Sequence, residues 1–318
     1  MNIISPLSYF AAFFAGFAVS AVSFAGPIAY VPNERSGTLS LIDTDTDAVV
    51  GEIRTGGKPR GIVVSADGKR LYVSDQSTNA LLVVDIAARA VSSRVELGES
   101  PEGVGISADG RWVAAASEVS NGVSIIDAAT NAKVATIKTR GKNPEHAVFS
   151  PDGKWLYVSA EDSDTVDVID MAKREQVAEV KVARRPRGIA FSPDGKRAWV
   201  ACEMDSMVFS IAVPEHRVVA SFKGGEFANG VAMRPDGERV FVSNGRAASV
   251  SVIDTREARI IDTIAVGQRP WNMALTPDGK KLYVANGRSG TVSVIDAQAS
   301  RKLRDIPVGE LPWGVVIR

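Results

Sequence analysis

Short apolar runs recur along the chain and predict β-strands. One typical unit opens with the apolar run 186–191, turns at Ser-Pro-Asp-Gly over 192–195 and continues into the apolar run 197–201. A polar loop and two further runs follow, and the last of them alternates polar and apolar residues. Runs rich in Val, Ile and Tyr, with turn signals about every ten residues, indicate units of four antiparallel strands, here named A to D in chain order.

The unit repeats at a nearly constant step of 42 or 43 residues. Two marks set this period: the Asp of an Asp-Gly turn, and the Asp that ends an apolar-apolar-Asp run. The first mark falls at Asp67, Asp109, Asp152, Asp194, Asp236 and Asp278. The second falls at Asp43, Asp85, Asp127, Asp170, Asp254 and Asp296, and Ala212 takes the remaining slot. We interpret these Asp residues as caps of turns, and the period is typical of propeller blades.

The two ends of the repeat region predict how the ring closes. The first run, 29–32, resembles a B strand, and the last run, 312–318, resembles an A strand with no turn after it. Six complete units lie between them, and the leftover strands make a seventh. We therefore predict an all-β fold: a seven-bladed β-propeller of four-stranded antiparallel blades. One blade is shared between the N-terminal strands and the C-terminal strand, which removes open sheet edges.

Residues 1–25 contain no charged residue and are mostly apolar. Small residues at Ser23 and Ala25 precede Gly26-Pro27, so the segment is interpreted as a signal peptide cleaved after Ala25. This predicts a propeller domain of residues 26–318, located in the periplasm or secreted, with no membrane span after cleavage. The alternative is an uncleaved membrane anchor.

Charge and cysteine content narrow the possible partners. Thirty-seven basic residues balance 37 acidic ones, which gives no electrostatic reason to expect nucleic acid or an anionic membrane as a partner. Cys202 is the only cysteine, so no intrachain disulfide forms, and a buried inert thiol is expected. His146 and His216 fall on opposite faces, so no metal site is predicted.

Candidate binding residues follow from the alternation of loops between the two ends of a meander. The D–A and B–C loops share one face, and variation between copies is where function is expected. The slot after the loop proline should ring the channel mouth with Arg60, Glu102, Glu145, Arg187, Asn229, Trp271 and Trp313. The B–C loops place Arg35, Arg246 and Arg288 on three consecutive blades and Glu118, Glu161 and Glu203 on three others, which predicts a bipolar mouth.

Two hypotheses concern chemistry at this mouth. Trp271 and Trp313, on neighbouring blades beside Arg60, would stack a planar ligand and hold its carboxylates. The alternative is that both indoles pack between blades. Glu145, His146 and Arg187 form a candidate catalytic set, since His146 and Asn272 replace the usual Gly of the following slot. The alternative for His146 is local packing or capping.

The repeated Tyr-Val-x-Asn/Ser, Val-x-Val-Ile-Asp and Ser-Pro-Asp-Gly-Lys signatures over residues 29–318 resemble the YVTN-type β-propeller repeat. Seven such repeats behind a signal peptide resemble the pyrroloquinoline quinone (PQQ)-dependent catabolism-associated β-propeller proteins. The resemblance implies a setting in periplasmic quinoprotein oxidation of alcohols. The implied partners are a quinoprotein dehydrogenase, a cytochrome or an ABC-transport component. It implies PQQ by association only, with no cofactor held by this chain.

Three functions remain open on this evidence. The first is a non-catalytic binding or interaction protein accessory to PQQ-dependent alcohol catabolism. The second is a lactonase-like hydrolase with its site at the channel mouth, because some seven-bladed relatives act on lactones. The third is a small-molecule binding protein for a quinone or an aromatic alcohol.

Overall fold

A computed structural model describes residues 26–318, which form seven four-stranded antiparallel sheets. The predicted signal peptide or anchor, residues 1–25, lies outside the described residues. The strands in chain order are β1 Ile28–Asn33, β2 Thr38–Asp43, β3 Ala48–Arg54, β4 Pro59–Val64, β5 Arg70–Asp75, β6 Ala80–Asp85, β7 Ala90–Glu96, β8 Pro101–Ile106, β9 Trp112–Ser117, β10 Gly122–Asp127, β11 Ala132–Lys138, β12 Pro144–Phe149, β13 Trp155–Ala160, β14 Thr165–Asp170, β15 Glu175–Lys181, β16 Pro186–Phe191, β17 Arg197–Cys202, β18 Met207–Ala212, β19 Arg217–Lys223, β20 Ala228–Met233, β21 Arg239–Asn244, β22 Ser249–Asp254, β23 Arg259–Ala265, β24 Pro270–Leu275, β25 Lys281–Asn286, β26 Thr291–Asp296, β27 Arg301–Pro307 and β28 Val316–Ile317.

Each blade follows the predicted meander, and the ring closes as predicted. Blade 2 has the order β4-β5-β6-β7, and blades 3 to 7 repeat it in chain order. Blade 1 has the order β28-β1-β2-β3, with Ala29 paired to Ile317 and Tyr30 to Val316. The A strands contact the A strands of neighbouring blades around the channel. The seven-bladed propeller fold, with one blade shared between the chain ends, is confirmed.

The helical part of residues 26–318 is a 3₁₀ turn, Glu161–Ser163. Within the same residues, no helix has the length and apolar character needed to cross a membrane.

The core is built between blades rather than at the channel. Buried side chains of adjacent sheets pack together, as Tyr157 of blade 4 and Phe191 of blade 5 do with ring centroids 4.8 Å apart. A tyrosine of a B strand also makes a hydrogen bond between blades: Tyr157 Oη lies 2.8 Å from Nδ1 of His216 in the next blade. His216 is thereby used in packing, on the face opposite the loops that form the mouth.

The repeated Asp residues cap turns, as interpreted from the sequence. Asp67 Oδ1 accepts hydrogen bonds from Ser65 Oγ at 2.6 Å and from the backbone amide of Lys69 at 3.0 Å. Asp43 Oδ1 accepts the backbone amides of Asp45 and Thr46. Such caps satisfy turn donors that no strand partner reaches.

In blades 2 and 6, a serine of the B strand and a glycine of the A strand hold the A strand in register with the A strand of the next blade. Ser74 Oγ accepts the backbone amide of Gly61 at 2.9 Å and donates to the carbonyl of Glu102 in the next blade at 2.5 Å. The pairing of β4 with β5 shifts register between Pro59 and Ile62. This bulge re-aims the intervening side chains toward the channel mouth.

Cys202 is a buried free thiol at the end of β17. Burial raises the pKa of this thiol to about 12. The expected inert role is consistent with this environment, because the thiolate is the reactive form.

Candidate binding site at the channel mouth

A cavity of about 230 Å³ opens at the mouth of the channel, on the face formed by the D–A and B–C loops. Its walls combine acidic, basic, amide and indole side chains. They are Glu34, Arg60, Glu118, Glu145, Arg185, Arg187, Asn229, Arg269, Trp271, Asn272 and Trp313. Six of the seven residues that the loop-proline slot places at the mouth line this cavity, and the seventh, Glu102, contacts Arg60.

Arg187 is the central cation of the mouth. Its Nη1 lies 2.5 Å from Glu145 Oε1 and 2.6 Å from Glu161 Oε1, and its Nε lies 3.0 Å from Glu203 Oε2. Three carboxylates around one guanidinium hold the pKa of Arg187 above its usual range, although burial acts in the opposite direction. Arg187 is therefore a fixed charge that joins blades 4 and 5.

The other guanidiniums are also paired. Arg60 contacts Glu102 and lies 3.2 Å from Glu34. Arg269 Nη2 lies 2.6 Å from Glu203 Oε1, and Arg185 Nε lies 3.0 Å from Glu161 Oε2. These ion pairs cross from blade to blade, which orients the side chains around the cavity.

The carboxylates outnumber the guanidiniums on blades 3 and 4. Glu102, Glu118 and Glu145 each offer an oxygen, and these oxygens lie within 4.8 Å of one another. We call these three residues the acidic wall. Burial and the charge of Glu145 raise the pKa of Glu118. The same two causes raise the pKa of Glu102 well above its usual value, although the charge of Arg60 opposes them.

The pKa values of Glu145 and Glu161 are shifted in opposite directions. Burial alone would raise the pKa of Glu145, but the charge of Arg187 outweighs it and leaves this pKa below its usual value. Burial and the charge of Glu145 raise the pKa of Glu161 to about 8, although Arg187 and Arg185 oppose them. Such separated pKa values are typical of functional sites, and structural ion-pair networks also show them.

Several buried polar atoms at the mouth have no hydrogen-bond partner. They include the acceptors Glu102 Oε2 and Glu145 Oε2 and the donor Asn229 Nδ2. All three side chains are at least nine-tenths buried, with 1%, 3% and 3% exposure for Glu102, Glu145 and Asn229. Since buried polar groups are normally satisfied, these atoms indicate where a bound molecule or ion would make contacts.

His146 and Trp313 close the channel beneath the cavity. Their rings stack with centroids 5.5 Å apart and planes inclined by 26°, although they belong to blades 4 and 1. A second cavity of about 140 Å³ lies at His146 and Trp313 and is lined by A strands. Burial lowers the pKa of His146, and Glu145 offsets this only in part, so the imidazole is neutral at neutral pH.

The candidate catalytic set is divided by this geometry. Glu145 and Arg187 form an ion pair in the upper cavity, whereas His146 lines the lower one. His146 Nε2 is buried without a hydrogen-bond partner. The imidazole therefore packs on Trp313, which matches the alternative of local packing.

The tryptophans and the outer arginines do not form the exposed stacking site that the sequence suggested. Trp313 is 8% exposed and stacks on His146, and Trp271 is half-buried with its ring against Gly287. Arg60 forms ion pairs with Glu34 and Glu102. Arg35, Arg246 and Arg288 are exposed, and the cavity walls do not include them. The opposed charges at the mouth come instead from the acidic wall and from Arg187, Arg185 and Arg269.

The sequence reasoning did not select Arg185 and Arg269, which line the cavity from D–A loops. Both precede a loop proline, and both have left-handed backbone, with φ of 62° and 55°. Their signal was available in the slot before the proline, which reads Lys58, Ser100, Asn143, Arg185, Phe227, Arg269 and Leu311.

A larger groove of about 450 Å³ lies between blades 1 and 7 on the opposite face, where turn residues such as Thr44 and Lys281 line it. Similar grooves occur between blades 5 and 6 and between blades 2 and 3. We attribute these grooves to the repeat, because the same turns form each of them.

Fold and mouth together define a seven-bladed β-propeller with a polar pocket at one end of its channel. The family model described as "Lactonase, 7-bladed beta-propeller" matches residues 170–308. The model described as "Cytochrome D1 heme domain" matches residues 26–147 and 120–204. Both matches agree with the seven-bladed β-propeller fold, and the lactonase match covers less than half of the chain. No curated protein matches the chain.

Two solved structures show the same architecture. A chain of Kuenenia stuttgartiensis hydrazine synthase is 23% identical, with a TM-score of 0.74 over 80% of this chain and 88% of that chain. A functionally unknown protein from Desulfotomaculum acetoxidans DSM 771 is 17% identical, with a TM-score of 0.81 over 91% of this chain and 98% of that chain. At these identities the likeness shows the fold alone.

The mouth as it stands does not fit a heme. Its cavity of about 230 Å³ is smaller than the roughly 300–1,000 Å³ of pockets that hold drug-sized ligands. The neutral His146 is covered by the Trp313 ring. PQQ, which carries several carboxylates, fits poorly for another reason: the glutamates of the mouth outnumber its arginines.

Proposed function

We propose that this protein is a binding propeller whose mouth cavity holds a small polar ligand with a positively charged group. One observation carries the proposal. Glu145 Oε2 and Asn229 Nδ2, an acceptor and a donor without partners, belong to buried side chains that line the same cavity. A ligand with a cationic end and an accepting end would satisfy both.

The charge balance selects the sign of the ligand. In the described part of the chain, the mouth holds six glutamates and four arginines that form one network: Glu34, Glu102, Glu118, Glu145, Glu161, Glu203, Arg60, Arg185, Arg187 and Arg269. Fully ionised, this network has two more negative than positive charges. A cationic group beside the acidic wall would offset part of this excess, whereas a dianion would add to it.

Three probes with four carbons test this selection, because they differ in charge and little in size. We expect 4-aminobutanoate to bind best by isothermal titration calorimetry, 1,4-diaminobutane to bind more weakly, and succinate to give no binding heat. The zwitterion matches both unpartnered atoms, and the diamine matches only the acidic wall. Tighter binding of succinate than of either amine, or no binding of any probe, would contradict the proposal.

Glu145→Gln removes a charge from the acidic wall and should weaken amine binding. Glu310→Gln is the matched control, because Glu310 lies in a D–A loop of the same face but is 69% exposed in its side chain. Its substitution should leave the binding curve unchanged. Equal losses in both variants would place the amine outside the mouth.

A lactonase-like hydrolase is a second candidate function, favoured by the family match over residues 170–308. Hydrolysis would use the neutral His146 as a base, which requires Trp313 to move aside. Assay of a lactone panel with wild type and with His146→Ala tests this. No turnover, or equal turnover in the two proteins, would remove the candidate.

We further propose that binding serves periplasmic quinoprotein-dependent alcohol oxidation and its transport system. The support is the resemblance of the repeat signatures and the apolar N-terminal segment. Affinity purification from alcohol-grown cells should recover a dehydrogenase, a cytochrome or a transport component. Repeated recovery of none of these would oppose this setting.

A further inference from the structure

The geometry of the acidic wall suits a metal cation as well as an amine. Its three carboxylates come from two neighbouring blades: Glu102 from β8, Glu118 from the loop after β9, and Glu145 from β12. Their nearest oxygens lie within 4.8 Å of one another. Two oxygens bound to one Ca²⁺ at about 2.3–2.6 Å are separated by at most about 5 Å, so one ion can be shared by all three.

Each carboxylate uses one oxygen for protein donors. Glu102 Oε1 accepts from Arg60 and from Gln76 Nε2 at 2.9 Å, and Glu145 Oε1 accepts from Arg187 at 2.5 Å. Glu118 Oε2 accepts from Ser100 Oγ at 2.8 Å. Donors that fix one oxygen and leave the other available are the usual outer partners of metal-binding carboxylates.

The remaining oxygens of Glu102 and Glu145 are buried and accept no hydrogen bond from a donor. Glu118 offers an oxygen within 4.8 Å of an oxygen of each of these two carboxylates. The excess of two negative charges in the mouth therefore has two chemical solutions, either bound protons or one divalent cation.

We propose that Glu102, Glu118 and Glu145 bind a divalent cation of the oxygen-preferring class, Ca²⁺ or Mn²⁺, at the channel mouth. The inference rests on the proposed binding function and names a ligand for its acidic wall. Three carboxylate ligands without a histidine or thiolate favour these hard cations over Zn²⁺ or Cu²⁺. The remaining coordination positions face the cavity, where water or the accepting end of a small ligand would complete them.

The test is calorimetric titration of the chelator-treated protein with CaCl₂ and, separately, with MnCl₂. We expect one site per chain, with a dissociation constant of ~10⁻³ M or tighter, as in extracellular Ca²⁺ modules. Glu118→Gln should weaken binding by about 10- to 100-fold or more, since loss of an outer partner alone has an effect of that size. Glu310→Gln should bind like wild type.

Ser100→Ala keeps all three carboxylates and removes only the hydroxyl that orients Glu118, so it tests the site if Glu118→Gln unfolds. It should weaken metal binding by about 10-fold or more and leave the circular dichroism spectrum unchanged. Absence of heat with both metals, or binding that survives both substitutions, would overturn the proposal.

Competition separates this inference from the proposed function. If Ca²⁺ displaces 1,4-diaminobutane, both hold. If the amine binds and neither metal does, the acidic wall is neutralised by protons, and the metal site is wrong while the binding function stands. If neither amines nor metals bind, both fail.

Discussion

Arg187→Met tests how the charged mouth is held together. Arg187 is 14% exposed in its side chain, and its three partners are 4%, 1% and 0% exposed, so water screens these pairs little. After the substitution Glu203 keeps Arg269 and Glu161 keeps Arg185, but Glu145 loses its only guanidinium among the described residues. One unpaired buried carboxylate costs about 3–5 kcal/mol, and we expect a loss of that order in the free energy of unfolding.

The loss should depend on pH. Without Arg187, burial dominates and the folded-state pKa of Glu145 rises above the unfolded value. A carboxyl with a raised folded-state pKa binds more protons when folded, so stability falls as pH rises from the unfolded pKa through the raised one. The deficit in urea unfolding should therefore be larger at pH 8 than at pH 5, and Glu145→Gln added to Arg187→Met should recover part of it.

Arg184→Met is the control for this experiment. Arg184 contacts Asp205 at 2.6 Å but is 64% exposed, so its loss should leave the urea midpoint unchanged. A wild-type midpoint for Arg187→Met at pH 8, or no recovery in the double variant, would refute the reasoning that the guanidinium compensates a buried carboxylate.

Two further predictions concern the scaffold. Cys202 should not react with a thiol reagent in the native protein at pH 8, because it is buried with a pKa of about 12, and it should react fully in guanidinium chloride; rapid native labelling would contradict this. Gly188→Ala should destabilise the ring by about 1–3 kcal/mol in urea unfolding, because the added Cβ would lie 2.6 Å from the carbonyl oxygen of Asn229 in the next blade; an unchanged midpoint would show that the A strands can move apart.

The fold could be predicted from the sequence because every blade repeats the same local signals. Asp-Gly turns, alternating apolar runs and a fixed period each report a structure formed within a few residues or against a neighbouring copy. Closure followed from the unmatched A strand at the C-terminus, which pairs with β1 as expected.

The site was less predictable, because repeat alignment gives the position of a residue but not the direction of its side chain. Residues of the slot after the loop proline line the mouth cavity, yet the ring of Trp313 stacks on His146. The importance of Arg185 and Arg269 depends on left-handed backbone before the proline, which non-glycine residues seldom adopt. Ion pairs between blades, such as Arg187 with Glu145 and Arg269 with Glu203, depend on all of these directions at once.

The most direct test of the binding site is a crystal structure of the protein grown with 4-aminobutanoate and without divalent metal. We predict that the ammonium nitrogen lies about 3 Å from carboxylate oxygens of Glu118 and Glu145, with the carboxylate of the ligand toward Asn229 Nδ2. A ligand bound elsewhere, or in the mouth with its carboxylate on the acidic wall, would contradict the account.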